Sequence, residues 1–304
     1  MKKNFVRLAS LLLASSLLIP SGALASTGGS STGEGINEKF GMPIVVYGAN
    51  LTEAEKHSVK DSLKVTSESE VEEISVTGED LVKYIKDGDA SARMYSSAKI
   101  TRKDAGEGLV IDIVTEDNIT QVTAEMYGNA MLTAGIEDAT VEVAAPKKVT
   151  GHSALVGIYK AYEVSGEKLD TERTDVANDE LSVATILANE SGIDEAKVSE
   201  LLTEIKKEIA EKNPVTKEEV EKIVQDQLAK LNIELSEEDR QLLVDLMDRI
   251  RKLDIDFSKW SDQLNDLSKT IEDQIGKIAD NEAFCASVKN FFTDLIDSIR
   301  SLFN

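Results

Sequence analysis

Residues 109–114 read LVIDIV, and they are followed by TQVTAEMYGNAMLTA at 120–134, TVEV at 140–143 and HSALVGIYKAY at 152–162. The first run is almost wholly apolar and β-branched, with Asp112 alone inside it, and reads as a central strand buried on both faces. In the second, Val122, Met126, Ala130 and Leu132 recur at helical spacing, Asn118 stands where a cap is expected and Gly135 where the helix stops. The short alternating run at 140–143 is a strand, and 152–162 is a second helix. Strand, helix, strand, helix is the pattern of a mixed sheet covered by helices.

Upstream the pattern continues. Ile44-Val45-Val46-Tyr47 is a strand ended by Gly48, and Thr52 with Glu55 forms a capping box that opens a helix. Val71, Ile74 and Val76 mark a second strand, Gly78 to Ile85 a short helix, and Arg93 to Arg102 a third strand. Gly106-Glu107-Gly108 reads as a hairpin turn joining that strand to 109–114.

Downstream the strands cease. Gly166, Glu167, Lys168 and Asp170 replace the apolar pattern, and from about Asp170 onward the sequence is helical. The fold class expected is therefore α+β: a mixed-sheet domain over 41–165, followed by an all-α bundle over 166–304. Thr216 with Glu219 and Ser236 with Asp239 mark two helix starts. Leu242, Leu243, Leu246, Met247, Ile250 and Leu253 form one apolar face, and Phe257, Trp260, Leu264, Leu267, Ile271 and Ile278 a second. A third runs from Phe284 to Phe303, and three such helices with short joints suggest an antiparallel bundle. An interfacial membrane helix prefers a basic polar face, whereas the third helix carries Asp280, Glu282, Asp294 and Asp297 against Lys289 and Arg300. Burial in the bundle is the better reading.

The first 25 residues are a targeting signal, not fold. Lys2, Lys3 and Arg7 precede an apolar run from Leu8 to Ile19, then Pro20-Ser21-Gly22 breaks it before Ala23-Leu24-Ala25. Ala23 and Ala25 supply the small-x-small pattern that signal peptidase recognises, with cleavage after Ala25. The run is shorter than the roughly 20 residues that span a bilayer. Residues 26–40 begin STGGSSTGEG and read as a disordered tether. Removal of the signal takes away three cations and no anion, so the net charge moves from −22 to −25. Such a polyanion repels nucleic acid, which needs clustered Lys and Arg. The single cysteine, Cys285, permits no internal disulfide, and two histidines make a multi-histidine zinc site improbable. Cys285 borders the apolar stripe of the last helix and reads as a covered, slow-reacting thiol.

The string MYGNAMLTAGIEDATVEVAAPKKVTG at 126–151, followed by HSALVGIYKAY, resembles the YpuA-like family of secreted proteins of Gram-positive bacteria, a domain of unknown function. The resemblance covers the chain from about Gly41 to the end. It implies an exported protein without an assigned activity and carries over no site residue.

Candidate chemistry is sparse. Gly151-His152-Ser153-Ala154-Leu155 sits between strand and helix like a G-x-S-x-G nucleophile elbow, but Leu155 replaces the second glycine and no histidine follows downstream. The alternative is a helix start capped by His152 or Ser153. Asp87-Gly88-Asp89-Ala90-Ser91 opens like a calcium loop, yet Ala92 and Ala98 stand where an EF-hand needs Gly and Glu, so a loop turn is expected. Glu72-Glu73, Glu79-Asp80 and Glu116-Asp117 are adjacent carboxylates that would need to converge across a cleft to do acid–base work. No catalytic residue, cofactor or metal is assigned. The residues favour a secreted or envelope-associated binding protein with a protein or envelope partner; the alternative is a carboxylate-dependent hydrolase of cell-wall material.

Overall fold

The computed structural model describes residues 40–66, 71–189, 191–256, 260, 262–269 and 271. The signal with Ala23 and Ala25, the tether up to residue 39, Phe257, Ile278, the apolar face from Phe284 to Phe303 and Cys285 lie outside the described residues.

Five strands form one mixed sheet: β1 (Ile44–Gly48), β2 (Glu72–Val76), β3 (Ser97–Arg102), β4 (Leu109–Ile113) and β5 (Ala139–Ala144), in the order β2-β1-β3-β5-β4. β1 runs parallel to β2 and β4 to β5, while β3 is antiparallel to both β1 and β5. The carboxyl ends of four strands and the start of β3 therefore share one edge of the sheet.

The helices are α1 (Glu53–Ser62), α2 (Gly78–Tyr84), α3 (Ala124–Ala134), α4 (His152–Val164), α5 (Thr171–Asn189), α6 (Glu195–Lys212), α7 (Lys217–Leu231) and α8 (Glu237–Ile250). Helix follows over 262–269. The architecture is the α+β arrangement expected, a mixed sheet followed by helices. Capping boxes open α1, α2 and α7, at Thr52/Glu55, Thr77/Asp80 and Thr216/Glu219. None of these helices is long and apolar enough to cross a membrane.

The two sheet faces are covered unequally. Val45 and Tyr47 pack with Val59 of α1 and Leu63 just past its end in a small core. Ile44 and Val46, with Ala98, Ile100, Val141 and Val143 in register beside them, face the large core with α3 and α4. Every residue of α3 from Met126 to Ala134 is buried, the polar Asn129 and Thr133 among them. It is the middle layer, with sheet beneath it and α5 and α6 above. The large core runs without a break from Ile44 through Leu187 and Val198 to Leu264, across the polar joint at Gly166.

Several local expectations are corrected. The run at 109–114 is not a central strand: β4 is an edge, and Val110 is 50% exposed. Gly106 and Gly108 have positive φ and their N–H groups bond the Asp138 carboxylate at 3.0 and 2.8 Å, but the turn makes no hairpin, because β5 lies between β3 and β4. Asn118 does not cap α3; Thr123 does, accepting from the Met126 N–H at 3.3 Å, while Asn118 donates to the Ala145 carbonyl. Leu242, counted in the apolar face of α8, is 38% exposed.

Candidate functional site

Two grooves follow β4 on its α3 side. The first, about 220 Å³, is lined by Leu109, Val110, Ile111, Leu132 and Leu267, with Glu107, Glu125 and Asp266 at its margin. The second, about 360 Å³, lies between Ile111, Ile113 and Val122 and carries Asp112, Glu116, Glu125 and Glu195. They share Ile111, Ala124 and Glu125, so they form one trough along the strand. Its described lining contains six carboxylates and no Lys, Arg or His. The buried side-chain oxygen of Gln263, which lines the first groove, has no hydrogen-bond partner among the described residues.

Local sequence explains this geometry. Period-two alternation turns Leu109, Ile111 and Ile113 toward the core and leaves Val110 and Asp112 outside. Thr123 caps α3 and Asp194 caps α6, which places Glu125 and Glu195 in first turns, where the helix N-terminus tolerates negative charge. That tolerance is not enough for Glu195. Burial, then the neighbouring charges of Asp194 and Glu125, push its carboxyl above the usual range. A carboxyl raised on folding weakens the fold once pH exceeds its unfolded value, because the folded state holds the proton more tightly than the unfolded one. Glu195→Gln is therefore expected to raise the melting temperature at pH 7, with the gain disappearing toward about pH 4. Melting curves at the two pH values check this; a gain that persists unchanged at the lower one would contradict it.

The residues singled out in sequence do not assemble into catalytic machinery. Glu73 lies on the opposite sheet edge from β4 and pairs with Lys60 at 2.6 Å. Asp80 completes the α2 cap and binds Lys160 at 2.8 Å, which with the Thr77 contacts outweighs burial and holds its carboxyl low. Glu116 alone of the three pairs reaches the trough. Asp89 accepts from the Ser91 N–H and hydroxyl at 2.8 and 2.7 Å, a closed turn rather than a metal loop. No group of acids, His or Cys among the described residues is placed to hold a metal ion.

The G-H-S stretch lies at the start of α4, as expected, but Gly151 itself is the N-cap, with φ +105°, and no side chain caps the helix. A Cβ at 151 would sit 2.8 Å from Ile119 and 2.9 Å from the Tyr127 hydroxyl, so the glycine is needed for space as well as conformation. Ser153 Oγ accepts from the Ser96 N–H at 3.4 Å, and His152 Nε2 faces Thr185 Oγ1 at 3.4 Å, so serine and histidine do not form a nucleophile–base pair. Burial holds the His152 ring pKa below its ordinary value.

A buried polar cluster escaped the sequence reading. Lys206 of α6 and Glu180 of α5 form an ion pair of 2.7 Å with side chains 0% and 1% exposed. Lys206 also donates to the Asn129 carbonyl at 3.0 Å, its ammonium lies 5.4 Å from the Trp260 ring, and the Thr133 hydroxyl donates to Glu180. Asn129 Nδ2 donates to Thr203 Oγ1 at 3.0 Å and to the Ser199 carbonyl at 3.3 Å. Burial lowers the Lys206 pKa against the pull of Glu180. Closed to solvent, the cluster fixes the register of α3, α5 and α6 rather than meeting a substrate.

With this geometry in view, comparison with known proteins is informative about kinship. The profile of the family described as "Protein of unknown function (DUF1002)" matches residues 47–267, from β1 to the helix that lines the trough. "Uncharacterized protein YpuA" of Bacillus subtilis (strain 168) is 36% identical over 273 residues, covering 86% of this chain and 90% of that one. No solved structure matches the chain.

Proposed function

The chain belongs to DUF1002, a family of proteins of unknown function, and we propose that it is exported and works by binding rather than by catalysis, taking an extended basic polypeptide segment along β4. The observation that carries this reading is that, among the described residues, β4 is a sheet edge beside an apolar trough whose charged residues are all carboxylates. Among the described residues, nothing bonds the outward backbone groups of residues 109–113. Natural edge strands are usually protected by charged side chains, Pro or a bulge, and of these β4 has the single charge of Asp112. A peptide adding to such an edge gains main-chain hydrogen bonds, while its alternate side chains enter the trough. Six carboxylates would select Lys or Arg on that peptide and repel acidic segments.

Export rests on the basic, apolar and small-residue order of residues 1–25; mass spectrometry of the released protein should find Ser26 at its N-terminus. For binding, fluorescence anisotropy of an extended peptide alternating Val and Lys should show saturable binding that weakens as salt rises. The pair Glu125→Gln and Glu195→Gln together should lower affinity about tenfold or more, on the scale of one to two charge pairs at an interface. Equal binding of a Val/Glu peptide would refute the docking site. One observation favours a second reading: Glu195, with its raised carboxyl, shares the trough with Glu125, as an acid–base pair in a hydrolase would. Release of soluble fragments from cell-wall material, abolished by either single substitution, would put that reading in front.

A further inference from the structure

The two grooves along β4 differ in whether their acids are already engaged. Of the carboxylates that belong to the first groove alone, Asp266 pairs with Lys269 at 3.0 Å and Glu107 accepts from the Asp104 N–H at 3.0 Å. The walls that remain are mainly aliphatic: Leu109, Ile111, Leu132 and Leu267, beside Gln263. Leu267 and Ile111 come together over α3, where a Cβ on Gly128 would lie 3.0 Å from a methyl of the first and 3.3 Å from a methyl of the second. A groove walled by methyl groups stabilises an aliphatic side chain by removing it from water.

The second groove has the opposite character. Glu116, Glu125 and Glu195 line it with Thr120, Gln121 and Thr123, and none of the three acids pairs with a cation among the described residues. Asp194 and Glu125 both repel a charged Glu195. A cation entering this groove offsets that repulsion and gains charge-assisted hydrogen bonds.

Strand geometry sets the distance between the two preferences. Side chains directly opposite one another in paired strands share a face, so the residues of an added strand that face the trough are those opposite Leu109, Ile111 and Ile113. Leu109 lines only the first groove and Ile113 only the second, while Ile111 lines both. Leu109 and Ile113 are four positions apart, which is about 13 Å along a strand.

We infer that the trough reads an ordered pair on its ligand: an aliphatic residue opposite Leu109, and an Arg or Lys four positions away, opposite Ile113. This rests on strand addition to β4 and narrows the polypeptide it takes to one with both an apolar and a basic side chain on the face turned to the trough. A second cation, placed in the first groove, would lose hydration against aliphatic walls and meet carboxylates that already have partners.

The test measures anisotropy of extended Thr-rich peptides against the mature chain from Ser26, each peptide carrying a chosen residue at positions i and i+4. Both sequence orders are made, because a strand can add to an edge in either direction. The better Leu/Arg order should bind about fivefold or more tightly than Arg/Arg or Leu/Leu. General attraction to an acidic surface makes Arg/Arg the tightest, and that result would overturn the inference. Two variants locate the preferences. In Glu116→Gln with Glu195→Gln, exchange of the peptide Arg for Gln should cost less than about threefold, against about tenfold in the parent, while exchange of Leu for Ala keeps its full cost. Leu267→Ala, at a half-buried position, widens the first groove and should make Phe preferred to Leu, a reversal that lost stability alone does not produce. Equal costs of the Arg exchange in parent and variant, or an unaltered preference for Leu in Leu267→Ala, would overturn the inference. If the alternating Val/Lys peptide binds while the paired peptides show no order, docking at β4 stands and the ordered pair falls; if no peptide binds, both fall.

Discussion

Lys206→Met is expected to destabilise the protein by about 3–5 kcal/mol, the scale measured when one partner of a buried ion pair is removed. The ammonium is wholly enclosed, held by the Glu180 carboxylate at 2.7 Å and the Asn129 carbonyl at 3.0 Å, with the Trp260 ring nearby. Methionine fills most of its volume, so cavity formation is a minor part of the loss. The main cost is Glu180, left with the Thr133 hydroxyl as donor and no cation. The pair Lys206→Met and Glu180→Met should recover most of the stability, because replacing a whole buried pair by apolar groups of similar size is often neutral or better. Urea unfolding of the three proteins decides: a single variant as stable as the parent would show that the ion pair does not hold α5 and α6 on α3.

The cluster was visible in the sequence as a broken rule. On α6, Val198, Leu201, Leu202, Ile205 and Ile209 define an apolar stripe, and Lys206 lies four residues after Leu202 and three before Ile209. Glu180 sits likewise on α5, four after Val176 and four before Ala184. A charge on an apolar stripe can instead reach past it to solvent, so spacing alone does not pair two such residues 26 positions apart. The same limit explains β4. An apolar run with one acid suits a doubly buried strand and an edge strand equally; what decides is that β5, arriving later in the chain, inserts between β3 and β4. Sheet order is a long-range property, and the trough depends on it entirely. The element types, the capping boxes at Thr52 and Thr216, and the stop at Gly135 are local in origin, and these could be read directly.

Ile100→Ala, a lesion on the sheet, is expected to lower the temperature at which Trp260 in the helical half loses its buried environment. Ile100 is 3% exposed in the large core, where truncation costs about 2–5 kcal/mol. For a protein of this size each kcal/mol moves the midpoint by about 2–4 °C. The coupling runs through α3, whose carbonyls at Asn129, Leu132 and Thr133 also accept from side chains of the helical half. Arg173 of α5 donates to the Thr133 and Leu132 carbonyls at 2.8 and 3.0 Å, the Trp260 indole to Leu132 at 3.3 Å, and Lys206 to Asn129 at 3.0 Å. Loosening the sheet under α3 removes the platform on which those four bonds are made. The chain has one tryptophan, so its fluorescence reports the place where the helical half meets α3, while far-ultraviolet circular dichroism reports the whole. Both should move together in Ile100→Ala, by the same number of degrees. A tryptophan transition that stays in place while part of the dichroism signal melts early would instead show residues 41–165 and 166–304 folding as separate units, and the bonds at the end of α3 would then be contacts between two independently stable bodies.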